Sequence, residues 1–200
     1  MQSANVSIKG YVEIFDPVTK EVLVSKTNAI HYENFSIAMA SSLANLTTGG
    51  FINQIAFGNG GTSIDPTGII TYLTPNTSGS NASLYNQQYL KVVNPNSALN
   101  IDPTRNFVEV RHTTGTTYSD VFTTCLLDYG EPSAQTAFDA TSGTNSTFTF
   151  DELGLVSYNS AGQGILLTHV IFHPVLKSLN RLIQVDYTVR IQSLTGLVSV

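Results

Sequence analysis

Across residues 147–191 apolar or β-branched side chains fall on every second position: Leu153 and Leu155, then Leu166, Thr168, Val170 and Phe172, then Ile183, Val185, Tyr187, Val189 and Ile191. A period of two sends alternate side chains to opposite faces of an extended chain, so this stretch predicts three half-buried strands that supply most of a sheet. The first two are joined by residues 159–164, Asn-Ser-Ala-Gly-Gln-Gly, whose glycines accept the positive φ of a tight turn. Pro174 is expected to stop the second strand, because it brings no N–H to a ladder.

The same reading carries along the chain. Val6, Ile8, Val12 and Ile14 alternate with polar residues, and Asp16 and Pro17 turn the chain into Val22, Leu23 and Val24, a hairpin over residues 6–27. Residues 30–46 predict the one amphipathic helix, with Asn28 as its cap and Phe35, Ala38, Met39, Ser42, Leu43 and Leu46 as a stripe that packs on the sheet. Ile52, Ile55 and Phe57 form a short strand that runs into Gly58, Asn59, Gly60 and Gly61. Residues 107–112 and 120–128 pair around a turn at 113–117. Alternation there puts Val121, Thr123, Cys125 and Leu127 on one face and Phe122, Thr124 and Leu126 on the other. Residues 128–146 are turn-like. The remaining stretch, 62–106, is rich in Pro, Gly, Asn and Ser around one strand-like island at 84–93. Such long loops read either as arms that reach a neighbour or as plain mobile surface, and with few apolar residues to hold them they are expected to move in the free chain. The expected architecture is a single β-rich domain over 1–200: mainly β, an antiparallel sandwich-like fold with one helix near the N-terminus and an extended loop region at 62–106.

Charge excludes several functions. Charged residues are 12% of the 200 positions, about half the ~25% of an ordinary soluble protein. With a net charge of -5 and no cluster of Lys or Arg, the chain has no basic face for nucleic acid. No segment is apolar enough to predict a membrane span or a secretory leader. Cys125 is the only cysteine, so no internal disulfide forms, synthesis in a reducing cytoplasm is expected, and the thiol reads as an inert core residue.

The chemistry-bearing residue types do not assemble into a motif. The Gly58–Gly61 loop is not followed by the Lys-Ser/Thr ending or the helix that a nucleotide phosphate needs. His169 and His173 are ~13 Å apart along one face of a strand, too far to share an ion, and His31 and His112 lie in other elements. Asp151 and Glu152 are expected to point to opposite faces, so they cannot flank one scissile bond and read instead as structural caps. No nucleophile elbow occurs. The sequence therefore assigns no catalytic residue, no cofactor and no metal ligand.

Two segments carry a resemblance. Residues 55–62, Ile-Ala-Phe-Gly-Asn-Gly-Gly-Thr, with Leu84, Tyr85, Asn86 and Tyr89, resemble the N-terminal attachment region of the tail-fibre and tail-collar proteins of tailed bacteriophages. Residues 151–155 (Asp-Glu-Leu-Gly-Leu), 162–166 (Gly-Gln-Gly-Ile-Leu) and 172–177 (Phe-His-Pro-Val-Leu-Lys) are similar to that family's second motif, in which Glu-Ile-Gly-Leu is followed by a glycine turn, an apolar strand and a Phe-x-Pro segment. The resemblance spans about residues 52–177. It implies a structural virion protein, assembled in the host cytoplasm, that serves as a tail, baseplate or neck (collar) subunit or as an adaptor. Its implied partners are copies of itself and other virion proteins. Gly58, Asn59, Gly60, Gly61, Glu152, Gly154 and Pro174 would be the structural motif, and Tyr72, Tyr85 and Tyr89 would make partner contacts. Fibre proteins continue into a shaft and a receptor-binding tip, whereas here only a strand at 181–192 follows, so the expected role is a building block and not host recognition. The alternatives are a capsid decoration (cement) protein or a carbohydrate-binding β-sandwich module with the three tyrosines as a stacking platform. The chain has no Trp to strengthen that platform, and an enzyme ranks last.

Overall fold

The computed structural model describes residues 5–46, 49–79, 82–132, 147–159 and 161–194. Strands β1 (Asn5–Phe15) and β2 (Val22–Ile30) form the first hairpin. Its turn is held by Asp16, whose Oδ1 accepts the N–H groups of Val18 at 2.9 Å and Thr19 at 3.1 Å. Because β2 runs on to Ile30, Asn28 belongs to a strand and does not cap the helix. Helix α1 (Tyr32–Leu43) is capped by His31 instead, whose Nδ1 accepts from Asn34 N at 3.3 Å. The buried face of α1 is Asn34, Phe35, Ala38 and Ser41, while Leu43 is 87% exposed and Leu46 is exposed too. The expected stripe is thus rotated towards the helix start. The reason is anchorage: Asn34 Nδ2 donates to Leu166 O at 2.8 Å and His31 N donates to Leu167 O at 2.9 Å, which pins the first turn to the sheet.

The remaining strands are β3 (Gln54–Gly58), β4 (Thr62–Ile64), β5 (Ile70–Tyr72), β6 (Gln87–Val92), β7 (Phe107–Arg111), β8 (Tyr118–Leu127), β9 (Thr147–Tyr158), β10 (Gly164–Leu166), β11 (Thr168–Ser178) and β12 (Ile183–Leu194). Apart from the small β4–β5 hairpin they form one sheet in the order β6-β3-β9-β11-β2-β1-β12-β8-β7, with β10 beside β9 and every pair antiparallel. The fold is mainly β and sandwich-like, as the alternation predicted. In that order β12 does not lie beside β11, because β2 and β1 come between them. Curling brings the two ends of the sheet together over one core, in which Ile55, Phe57 and Tyr89 of one end meet Cys125, Leu127, Val185 and Tyr187 of the other. Tyr187 spans that core, and its hydroxyl donates to Thr168 Oγ1 at 2.8 Å. Phe150 stands edge-on to both Phe57 (centroids 5.4 Å apart) and Phe172 (5.7 Å); side chains of this size contribute about 1.5–3 kcal/mol each on full burial.

Pro174 does not end its strand. The ladder between β11 and β9 steps from Ile171 opposite Glu152 to Val175 opposite Phe150. Phe172, His173 and Pro174 therefore lie in a bulge, where the missing N–H is not needed. The same step passes over Asp151, which interrupts the alternation of β9. That is why Phe148 and Phe150 share a core cluster with Leu153 and Leu155 despite their opposite parity. Residues 62–106 are also more structured than a loop reading allows. They contain the β4–β5 hairpin and, at the expected island, β6 in the main sheet. Most of the turn-like stretch 128–146 lies outside the described residues.

Candidate functional site

The glycine-rich turn after β3 and the chain entering β6 meet at the interruption in β9, and two carboxylates hold them there. Glu152 Oε1 accepts from Gly60 N at 3.1 Å and Asn86 N at 2.8 Å, while Oε2 accepts from Tyr85 N at 3.0 Å and from His169 Nε2 at 2.9 Å. Asp151 accepts from Gly61 N and Thr62 N, both at 2.9 Å, and from the Thr62 hydroxyl. His169 Nδ1 accepts from Asn76 N at 2.8 Å. With Nδ1 acting as acceptor, the ring proton sits on Nε2 and points at Glu152. Both Glu152 and His169 are completely buried.

The electrostatics follow from this saturation. Burial pushes the Glu152 carboxyl up, but the hydrogen bonds from His169 and from the amides of Asn86, Tyr85 and Gly60 together outweigh it, so its pKa falls below the ordinary glutamate value. Donors aimed at a carboxylate favour its charged form. With four donors on two oxygens, Glu152 has no lone pair left for a metal ion or a substrate proton, while Asp151 spends three of its four on the turn. The arrangement is a clamp: buried charge-assisted hydrogen bonds stitch backbone from four parts of the chain to one point.

Gly58, Asn59, Gly60 and Gly61 form the crest that Glu152 and Asp151 grip. Asn59 N donates to Asn86 O at 3.1 Å, and Asn86 Nδ2 returns a bond to Asn59 Oδ1 at 2.7 Å. A Cβ on Gly58 would stand 2.5 Å from Glu152 Oε1, so the clamp closes only over a residue without one. Gly154 is a close approach of another kind, since a Cβ there would lie 2.1 Å from Thr168 O of the neighbouring strand. Pro174 sits in the bulge nearby. All seven residues of the expected structural motif thus cluster around the junction of β9 and β11. Sequence reading missed His169, Asn76 and the loop-binding role of Asp151. The available signal was a histidine on a buried face of β11 and an acidic pair inside an apolar strand.

The three tyrosines separate. Tyr85 is exposed, with its ring 5.6 Å from that of His169 and its hydroxyl donating to Thr74 O at 2.6 Å. Tyr72 is exposed as well, lying 5.3 Å beneath Lys26 Nζ with its hydroxyl 3.4 Å from His173 Nδ1. Tyr89 is buried, packed against Phe57 with the ring centroids 6.1 Å apart. It is a core residue and is not available for partner contact. His169 is buried and His173 exposed, because the bulge between them breaks the shared face. Burial pushes the Cys125 thiol well above its ordinary range.

No protein family, curated protein or solved structure matches the chain.

The surface beyond the clamp is largely neutral. A groove of about 320 Å³ is lined by Gln54, Ser83, Gln87, Val156, Tyr158 and Leu166, among others, without a carboxylate, histidine or lysine. Among the described residues no group of three His, Cys, Asp or Glu is arranged to hold a metal ion. Exposed apolar side chains are spread over the surface, and the stretch that the clamp positions carries Ile64, Ile69, Tyr72, Leu73 and Tyr85 among them.

Proposed function

We propose that the chain is a structural virion protein of a tailed bacteriophage, a tail, baseplate or neck subunit or adaptor that works through protein–protein contacts. The observation that carries this reading is the clamped arm. Asp151, Glu152 and His169 commit their chemistry to holding residues 60–62, 76, 85 and 86 against the sheet, and this arm presents Ile64, Ile69, Tyr72, Leu73 and Tyr85 to solvent. Exposed apolar side chains on a fixed arm whose one charged residue is Asp65 suit a binding surface. A low-charge surface also docks with little desolvation cost. Part of the stretch that carries the resemblance to tail-fibre attachment regions, Gly60, Gly61, Thr62, Tyr85, Asn86, Asp151 and Glu152, meets in this clamp. The burial of Tyr89 removes one ring from the sugar-stacking platform and leaves the assembly reading ahead of it.

The test is incorporation. Ile64→Ser with Ile69→Ser changes the tip of the β4–β5 hairpin without touching the core. Purified particles assembled with this variant should carry much less of the protein than wild-type particles, while the isolated variant melts as wild type does. Full incorporation of the variant, or absence of the wild-type chain from purified particles, would overturn the proposal.

A further inference from the structure

Strand β7 is the last strand of the sheet on its side: its inner edge pairs with β8, and among the described residues no strand pairs with its outer edge. Glu109, Val110 and Arg111 at its centre are exposed, Val110 at 70%. An open row of N–H and C=O groups beside an exposed β-branched residue is a template for another strand.

We propose that β7 pairs antiparallel with β7 of a second copy of this chain, about a two-fold axis through Val110. Charge and backbone parity select this register. Outward-facing backbone groups alternate along a strand, so a symmetric pair must place residues of equal parity opposite each other, which centres it on a single residue. Centring on Glu109 or on Arg111 sets that charge against its own copy, an unfavourable pair. Centring on Val108 places Phe107 opposite Glu109 and Val110 opposite Asn106, with no acid facing Arg111. Centring on Val110 sets Glu109 opposite Arg111 of the second copy, twice by symmetry, and brings the two Val110 side chains together.

The strand is prepared for this. Arg111 already donates to Glu109 at 2.6 Å and lies 3.5 Å over the Phe122 ring, so little side-chain freedom remains to be lost on pairing. Val110 and Val108 stand opposite Val121 and Thr123 of β8, and Val121 packs on the main core. Pairing would extend that apolar face across the axis without a break. A five-residue edge buries less than the ~800 Å² per partner of an ordinary interface, so the dimer of the free chain dissociates at ~10–100 μM. This contact differs from the arm of residues 62–106 and does not depend on the virion reading.

Sedimentation equilibrium of the full chain over a range of concentrations tests it. Wild type should dimerise, and Glu109→Arg alone or Arg111→Glu alone should each weaken the dimer about tenfold to a hundredfold, because each faces like charges across the axis. The two variants mixed in equal amounts should form a mixed dimer of about wild-type strength, since every cross-axis pair is again opposite in sign. The exchanged variant carrying both substitutions should also recover. Recovery on mixing shows that each single variant is folded. The arm variant Ile64→Ser with Ile69→Ser should dimerise as wild type does. A wild-type chain that stays monomeric at ~500 μM, or single variants that associate as tightly as wild type, or a mixture no tighter than its components, would each overturn the pairing.

Discussion

Glu152 is an acid whose value to the molecule is entirely structural, and its environment makes that measurable. Glu152→Gln replaces an acceptor oxygen with an NH₂ group that must face N–H donors from Tyr85 and His169. Leaving such buried donors unpaired should cost about 2–4 kcal/mol. Denaturant titration gives the loss, and faster amide exchange at Gly60, Tyr85 and Asn86 would place it at the clamp. In the free wild-type chain those amides should be protected. Gly154→Ala puts a methyl group 2.1 Å from the Thr168 carbonyl and should destabilise by more than about 3 kcal/mol. Asn159→Ala loses only exposed turn bonds, those that Asn159 Oδ1 accepts from Ala161 N and Gln163 N and the one that its Nδ2 donates to Gln163 Oε1, about 1 kcal/mol. Similar melting temperatures for the two variants would contradict the packing of β9 on β11. Lys177 responds to pH in the opposite sense to a salt-bridged lysine. Burial lowers its pKa to about 8 against the partial support of Glu131 and Asp128, while the unfolded chain keeps the proton up to about 10.4. Between those values the unfolded state binds more protons, so unfolding free energy should rise from pH 8 towards pH 10. Lys177→Met should remove that contribution when the two chains are compared at pH 7.5 and 9.5.

At the scale of elements, α1 and β11 show how anchorage overrides pattern. The helix stripe read from spacing included Leu43 and Leu46, but the hydrogen bonds of His31 and Asn34 to the chain around Leu166 and Leu167 orient the helix so that Phe35 and Ala38 face the core. Phe35→Ala should therefore cost about 3–4 kcal/mol, and Leu43→Ser, at an 87% exposed position, should change stability by less than about 0.5 kcal/mol. Equal losses at the two positions would mean that the helix is turned. In β11 the proline that seemed to mark an end marks a bulge, and the bulge separates the buried His169 from the exposed His173. Strand existence was legible because alternation is local. Strand length was not, because a bulge needs a partner strand that only the folded chain supplies.

At the scale of the molecule, the curled sheet sets its two ends against each other across one core, and Tyr187 bonded to Thr168 ties β12 to β11, which are not neighbours in the sheet. Tyr187→Phe keeps the ring and removes the tie, and should lower stability by about 1–2 kcal/mol, read as a shift in denaturant midpoint without a change in slope. The hairpins β1–β2 and β7–β8 and the turn from β9 into β10 were readable from the chain alone, because Asp16 and the glycines near residue 162 act on neighbours a few residues away. The sandwich-like class followed from the same alternation together with the low charge. The neighbours of β12 were not readable: pairing with β1 and β8 joins residues more than a hundred positions apart or across the whole of β9, β10 and β11, and many registers satisfy an alternating strand equally well. Nor was the clamp. Most of its donors are backbone amides, at Gly60, Gly61, Thr62, Tyr85 and Asn86, which carry no side-chain signature, and they converge on Asp151 and Glu152 only once β3, β9 and β11 have paired. Local periodicity alone determined the strands of the main sheet, whereas the tertiary fold decided which neighbours they have and what two buried carboxylates are for, because both depend on contacts that no local stretch of chain contains.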